Sequence, residues 1–170
     1  LLDGTGGGGL TKLGTGTLYL NGVNTYTGAT LVNAGTLGGT GTIAGSVTVA
    51  SGATFAPGTS IGTLTGGGAV SLAAGSTNLM EISKNAGTND LVTGATAITY
   101  GGTLVLKNLG GVLAVNDTFK LFNATSYSGS FSAVVSQVYG QTVTWDLSNL
   151  TVNGTVRVAS VVAAPVTLTT

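Results

Sequence analysis

The chain contains no cysteine and no histidine. Without histidine it cannot build a Ser-His-Asp triad, a histidine-ligated metal site or imidazole acid–base chemistry. Without cysteine it cannot build a disulfide framework, a thiolate nucleophile or a cysteine-type zinc site. We therefore expect no metal and no cofactor, and most common catalytic constellations are excluded from the start.

Charge is also scarce. Ten of the 170 residues are charged, five of each sign, so the formal net charge is zero, whereas charged residues make up about a quarter of an ordinary soluble domain. Five basic residues are too few for an electrostatic footprint on nucleic acid or on an anionic membrane. The hydrophobic fraction of 42% excludes a charged disordered tail.

Long hydrophobic runs are missing as well. The most apolar stretch, 156–166, is interrupted by Arg157, Ser160 and Pro165, and it is shorter than the roughly 18–20 apolar residues that a spanning helix needs. We expect no membrane-spanning segment. The composition, rich in threonine and glycine and free of cysteine, fits a secreted or cell-surface bacterial protein, and we interpret the chain as a piece of something longer.

Glycine and threonine are abundant, with 30 residues of each. The tripeptide Gly-Thr-(Leu/Ile/Val) begins at positions 16, 35, 41, 62, 102 and 154. A spacing near 20 residues, or twice that, relates most of these copies, and a fixed period of this size is typical of repeat architectures. The last copy does not fit the period, which predicts that the C-terminal part is built differently.

Short runs that alternate apolar and polar residues lie between these copies, for example 17–20, 46–49, 69–72 and 103–106. Period-two alternation bounded by glycine predicts β-strands, and no window carries a helical stripe. The sequence therefore predicts an all-β protein, a parallel β-helix (β-solenoid) whose turns stack on one another. The alternative is a β-sandwich with glycine-rich hairpins.

In a solenoid the inward side chains form apolar columns, the glycines make the corners and the outward threonines cover the strands. Like charges stacked in register would repel, so few charges suit this fold. The residues that we expect in the core are Leu18, Leu20, Val32, Leu37, Ile43, Val47, Val49, Phe55, Leu64, Val70, Leu72, Met80, Ile82, Ile98, Leu104 and Leu106.

From about residue 112 glycine becomes sparser and aromatic residues concentrate. This change predicts a C-terminal β-rich unit that caps the coil, since the ends of a solenoid expose core and strand edges. We expect β-solenoid turns over 1–111, the capping unit of the same domain over 112–160, and a linker toward a further module over 161–170.

The segment 12–37 resembles the autotransporter-associated β-strand repeat, with a lysine, spaced glycines, an Asn-Thr-Tyr-Thr-Gly turn and a closing Gly-Thr-Leu. The stretches 56–65 and 116–156 are similar to segments that often come after that repeat. The resemblance implies a passenger-type β-helix of bacterial surface or secreted proteins and supplies no catalytic residues. Its structural motif positions are Gly16, Thr17, Leu18, Asn24, Thr25, Tyr26, Thr27, Gly28, Gly35, Thr36 and Leu37.

Two carboxylates are the candidates for catalysis. Glu81 and Asp90 are close enough in sequence to approach each other across a turn, and a carboxylate pair can hydrolyse glycosides. The alternative, which we favour, is that both are solvated, with Glu81 directed outward because Met80 and Ile82 beside it face the core. Tyr19, Tyr26 and Tyr100 are candidate surface aromatics for sugar stacking, although a structural role suits Tyr19 and Tyr26 better.

Two functional hypotheses remain. The first is a non-catalytic structural or adhesive β-solenoid on the bacterial surface, which self-associates into extracellular filaments through strand edges or open coil ends. The second is a carbohydrate-binding or carbohydrate-active β-helix that contacts surface glycans. Convergence of Glu81, Asp90 and an aromatic ring in one cleft would favour the second hypothesis.

Overall fold

The computed structural model describes residues 1–3 and 7–164, and strands dominate this part of the chain. The elements, grouped by successive turns of the coil, are β1 (Leu10–Lys12), β2 (Thr17–Tyr19) and β3 (Val23–Asn24); β4 (Thr30–Val32), β5 (Thr36–Gly39) and β6 (Thr42–Ile43); β7 (Val47–Val49), β8 (Thr54–Pro57) and β9 (Thr63–Gly66); β10 (Val70–Leu72), β11 (Thr77–Ser83), β12 (Thr88–Asn89) and β13 (Leu91–Ala95); β14 (Ile98–Tyr100), β15 (Thr103–Asn108), β16 (Thr118–Lys120) and β17 (Phe122–Ala124); and β18 (Tyr127–Gly129), β19 (Ala133–Gln137), β20 (Gln141–Asp146), α1 (Leu150–Asn153) and β21 (Thr155–Ala163).

Each turn contributes one strand to each of three parallel sheets, except that the last turn adds none to the third. The first sheet has the order β1-β4-β7-β10-β14-β18, the second β2-β5-β8-β11-β15-β19, and the third β3-β6-β9-β13-β17. This confirms the predicted β-solenoid. It excludes the β-sandwich, in which chain neighbours would pair antiparallel. The described residues contain one short α-helix and none long and apolar enough to cross a membrane.

The repeat length is not constant. In the first sheet, the first aligned inward-facing residues of successive strands are at positions 10, 30, 47, 70, 98 and 127. The spacing near 20 therefore holds for the early turns and widens later. The extra residues lie between strands, in the hairpin in which β12 pairs antiparallel with β11 and in the segment that contains β16. The strands stay stacked in parallel across these insertions, with one register shift between Thr93 and Ala95 in the pair β13–β17.

The interior is a continuous apolar core. Fifteen of the sixteen residues expected there are buried, each with at most 6% of its surface exposed. Leu18 is only partly buried, because it lies on the first turn and stacks on Leu37 from one side. Side chains of the second sheet stack in register, as Leu37 on Phe55 does, so each turn covers the apolar surface of its neighbour.

The C-terminal end of the coil is covered by a cap. Here β16, β21 and β20 form an antiparallel sheet. Three aromatic rings pack where cap and coil meet, with the centroid of Tyr100 5.2 Å from that of Phe122 and 5.1 Å from that of Phe131. The Tyr100 hydroxyl donates a 3.0 Å hydrogen bond to the carbonyl of Leu150 in α1. The cap is thereby joined to the last turns by packing and by a hydrogen bond.

The parallel stacking runs beyond residue 111, since β17, β18 and β19 each pair with a strand of the preceding turn. The change of texture near residue 112 marks the point where the chain leaves the coil to form β16. Strand β21 extends through Ala163 and pairs with β20, while positions 165–170 of the expected linker lie outside the described residues. The division into turns, cap and linker stays a prediction.

The outer face of the second sheet carries a column of hydroxyls. Thr17, Thr36, Thr54, Thr77 and Thr103 align on successive strands. Farther along the same sheet Glu81 aligns with Lys107, a pair of opposite sign. Since neighbouring strands are only about 4.8 Å apart, the register brings each outward side chain next to its equivalent above and below.

We predict that the sign pattern of charges placed in this column controls stability. Like charges in register repel, so the variant with Thr36→Lys, Thr54→Lys and Thr77→Lys should unfold at lower urea concentration than the variant with Thr36→Lys, Thr54→Glu and Thr77→Lys. The expected difference is about 1 kcal/mol, and it should shrink in 1 M salt because screening shortens to about 3 Å. Equal stability of both variants at low salt would contradict the proposed reason for the low charge.

Candidate functional site

The motif residues of the segment 12–37 form the first two turns of the coil. Thr17 aligns with Thr36 and Leu18 with Leu37 across the pair β2–β5. The amide of Thr36 donates a hydrogen bond to the carbonyl of Gly16. The two halves of the motif are therefore one strand pair, in which each half holds the other in register.

The Asn-Thr-Tyr-Thr-Gly turn is held by its own side chains. The buried Asn24 donates from Nδ2 to the carbonyls of Gly22 and Thr42, each at 3.0 Å. The hydroxyl of Tyr26, which is 2% exposed, lies 2.5 Å from Oγ1 of Thr30. These bonds give hydrogen-bond partners to polar side chains buried where β3 ends and the corner begins.

Residues of this turn also contact the chain that precedes β1. The amide of Thr25 donates to the carbonyl of Leu1, and the amide and hydroxyl of Thr27 donate to the carboxylate of Asp3. Gly28 donates to the carbonyl of Gly8, so close that a β-carbon there would lie 2.5 Å from that oxygen. Glycine is required at position 28 because a side chain would push the two segments apart.

Lys12 has a role that its place in the motif did not disclose. Its side chain is buried, and Nζ donates to the carbonyls of Leu13, Gly14 and Ala34 at 2.8, 2.7 and 3.1 Å. Three carbonyls at two neighbouring corners thus share one ammonium group. A lysine directly before a glycine-rich corner is the only sequence signal for this contact.

The two carboxylates approach each other, as one of the hypotheses required. Glu81 lies on β11 with its side chain outward, where Oε1 accepts a 2.9 Å hydrogen bond from Lys107 Nζ and Oε2 a 3.1 Å bond from Ser60 Oγ. Asp90 is 1% exposed, so the expectation that it is solvated is wrong. Its Oδ1 accepts from the amide of Gly62 at 2.9 Å and its Oδ2 from the amide of Glu81 at 2.7 Å.

The burial of Asp90 results from local topology: the hairpin of β11 and β12 returns Asp90 toward the amide of Gly62, where a corner leaves N–H groups in need of an acceptor. Burial raises the pKa of Asp90 to about 7, the charge of Glu81 adds to the rise, and the two amide hydrogen bonds oppose it. All four carboxylate oxygens of the pair accept hydrogen bonds from the protein, so the pair holds the loop and presents no unengaged carboxylate.

Glu81 and Asp90 border an open depression on the second sheet, together with Tyr19. The depression is open to solvent, and its cavity volume is about 90 Å³. Tyr19 is 50% exposed, whereas Tyr26 and Tyr100 are 2% and 4% exposed. Tyr26 and Tyr100 are therefore not surface rings, since their hydroxyls find buried partners in Thr30 and Leu150. For Tyr26 this agrees with the structural role that we favoured, whereas the expectation of a surface ring is wrong for Tyr100. Tyr19 is the one member of the trio that a ligand can reach.

The fold and these contacts define a capped parallel β-solenoid whose motif residues build its first turns. Residues 10–38 match the family model described as passenger-associated-transport-repeat. The chain is also 76% identical over 29 residues to the Adhesin BmaC autotransporter of Brucella suis biovar 1 (strain 1330), a match that covers 17% of this chain and 1% of that protein. The resemblance to the autotransporter repeat is thus confirmed for residues 10–38.

The chain spans about 1% of the length of the relative that it matches. The repeat and the relative identify the chain as part of a secreted or cell-surface bacterial protein. They concern the first two turns of the coil. The later turns and the cap lie outside the matched residues. So does most of the depression, to which the first two turns supply only a few lining residues.

We predict opposite tolerances for two glycines of the motif. Gly35 has φ +68°, and a β-carbon there would lie 2.4 Å from the carbonyl oxygens of Gly14 and Gly16. Gly35→Ala should therefore destabilise the chain by about 2–4 kcal/mol. At Gly16 a β-carbon would meet no described atom within 4 Å, so Gly16→Ala should cost under about 1 kcal/mol. Urea unfolding followed by circular dichroism measures both, and similar losses would contradict the packing argument.

The raised pKa of Asp90 predicts a pH dependence. Between its ordinary value of 3.8 and about 7, the folded state retains a proton that the unfolded state has released. The free energy of unfolding must therefore fall as pH rises through this window, by at most about 1.4 kcal/mol per pH unit. Because the chain has no histidine, no imidazole titration obscures the measurement.

Asp90→Asn provides the matched control. The amide cannot accept from both N–H groups, so this variant should be less stable than the parent at pH 4, by about 1–3 kcal/mol. The free energy of unfolding of this variant should not show the decline that Asp90 causes in the parent. The difference in unfolding free energy between the two proteins should therefore narrow toward pH 7. If this difference in unfolding free energy stays constant or widens between pH 4 and 7, Asp90 is ionised throughout.

Proposed function

We propose that the chain is a non-catalytic β-solenoid module of a bacterial surface adhesin, and that its outer faces provide the adhesive surface. The main observation that supports this proposal is the stack of turns whose exterior is lined by aligned, uncharged hydroxyl groups. The match of its first turns to a protein named as an adhesin supports the proposal. Adhesion is a property of the whole parent protein, of which this chain is one module.

The mechanism is geometric. In-register parallel strands pair their backbone groups from turn to turn, and the apolar columns inside resist bending because each layer is close-packed on the next. Six turns at about 4.8 Å give a rigid body roughly 25 Å long, with the cap at one end. A rigid module of this kind orders a large surface before it meets a partner, which reduces the entropy lost on binding.

Within this proposal the eleven motif positions act structurally. Gly28 and Gly35 permit close approach at corners, Asn24 and Tyr26 satisfy polar groups there, and Leu37 fills the core. Residues up to Gln137 supply the stacked turns, and β16, β20, β21 and α1 supply the cap. We assign no catalytic role to Glu81 or Asp90, because their oxygens are engaged by Lys107, Ser60 and backbone amides.

Assembly into filaments is a second candidate, favoured by one feature. Among the described residues the strands β1, β2 and β3 pair on one side only, so their outer edges have free backbone groups. The opposite end is covered by the cap. End-to-end growth needs two matching ends, so the fold favours pairing at the first turn over continuous fibres. Negative-stain electron microscopy of the purified chain should reveal short particles or pairs, and micrometre-long fibres would overturn this expectation.

Adhesion is tested by coating beads with the 170-residue chain and counting beads retained on cultured epithelial monolayers under flow. Beads that carry the chain should be retained above beads that carry Gly35→Ala, whose first corner is disrupted, and Gly16→Ala beads should behave as the parent. Retention equal to that of uncoated beads would contradict the adhesive function. Release of reducing sugar from the monolayer by the soluble chain would contradict the absence of catalysis.

A further inference from the structure

We propose that the depression on the outer face of the second sheet is a binding site for an uncharged saccharide. The inference goes further than the adhesive function, on which it rests, because it names a site and a ligand class. One wall of the depression is formed by outward residues of the second sheet, and the other by the loop after β8. The lining residues that matter are Tyr19, Thr36, Leu79, Thr59, Ser60 and Glu81.

Tyr19 forms an exposed aromatic platform. Its neighbour in the register is Gly38, where a β-carbon would lie 3.1 Å from Cδ1 of the Tyr19 ring. The missing side chain at position 38 therefore leaves space for the ring beside the sheet, while half of the residue's surface stays in solvent. An exposed ring held against a rigid sheet presents an apolar surface that suits the C–H groups of a sugar ring.

Polar side chains of Ser60 and Glu81 line the same depression as this platform. Ser60 Oγ, Glu81 and Lys107 form one hydrogen-bonded chain, in which Glu81 accepts from both neighbours. The Lys107 side chain is 42% exposed and that of Glu81 14%, so both are accessible to neighbouring hydroxyls. A carboxylate beside an ammonium group offers an acceptor and donors side by side, the arrangement that adjacent hydroxyls of a sugar require.

The loop that forms the wall is fixed in advance. Asp90 lies beneath it and accepts from the amides of Gly62 and Glu81, so it ties the end of the loop to β11. At Gly58 a β-carbon would lie 1.8 Å from the carbonyl of Ser60, a sign of how tightly the loop folds on itself. A preformed wall costs less ordering on binding than a flexible one would.

Charge selects the ligand. The depression is open, so a ligand would lie against its walls without being enclosed. Glu81 is paired with Lys107, and among the described residues no other charged side chain except the buried Asp90 lines the depression. The site therefore lacks the excess positive charge that would select a uronic or sialic acid, and it favours uncharged rings.

The experiment is a titration of the isotope-labelled 170-residue chain with neutral trisaccharides, namely maltotriose, cellotriose, laminaritriose, mannotriose and chitotriose, and with trigalacturonate as the anionic probe. Amide resonances of β2, β5 and the loop 58–62 should shift with at least one neutral probe and not with the anion. No shift with any neutral probe at about 10 mM, where a millimolar complex is nearly saturated, would overturn the proposal. Binding of the anion alone would overturn it too.

Variants test the platform itself. Tyr19→Ala should weaken binding about ten-fold or more, whereas Tyr19→Phe should retain most of the affinity because the ring remains. Tyr139→Ala is the matched control, since Tyr139 is 100% exposed and lies outside the depression. Circular dichroism checks that each variant is folded. Unchanged affinity in folded Tyr19→Ala would overturn the assignment of the site.

The bead assay separates the two proposals. If no neutral trisaccharide binds but beads are still retained on cells, the saccharide site is wrong and the adhesive function stands. If a trisaccharide binds through Tyr19 but the parent beads are not retained, the site stands and the adhesive function is wrong. If both hold, an excess of the bound trisaccharide should release the parent beads.

Discussion

In-register stacking of successive turns is the constraint on which the rest of this structure depends. Every inward residue must fit against its equivalents about 4.8 Å above and below, and every outward residue must tolerate the same proximity. Leu37 against Phe55 illustrates the first requirement and Thr36 against Thr54 the second. A charge on the outer face needs an opposite partner in the next strand, as Glu81 has in Lys107. This geometry accounts for the low charge of the chain.

At the corners, backbone N–H and C=O groups are outside the strand ladder and need other hydrogen-bond partners. The chain meets this need with two ionisable side chains placed inside: the ammonium of Lys12 donates to three carbonyls, and the carboxyl group of Asp90 accepts from two amides. Both residues would be costly to bury without these partners. Two of the ten charged residues are thereby used for architecture, which leaves little charged chemistry for catalysis.

The two ends of the coil differ, and the difference gives the module a direction. At the C-terminal end Tyr100, Phe122 and Phe131 pack between the last turns and the cap, so the strand edges are covered. At the other end β1, β2 and β3 pair on one side only among the described residues. The depression beside Tyr19 lies on a side of the coil. A ligand bound there would contact neither end.

The class of fold and much of the core could be predicted from the sequence. Alternation, glycine spacing and the repeat report local backbone choices and a period that the coil must share, and they predicted fifteen of the buried core positions between Leu20 and Leu106. They missed others in the same range, among them Tyr26, Val92 and Tyr100. Three features became visible only in the folded chain: the stacking passes residue 111, Asp90 is buried, and Tyr19, unlike Tyr26 and Tyr100, faces solvent. These outcomes depend on which corner an inserted hairpin folds over and on which residues lie one turn away. A linear pattern carries no record of such contacts, because most of them join residues some twenty or more positions apart.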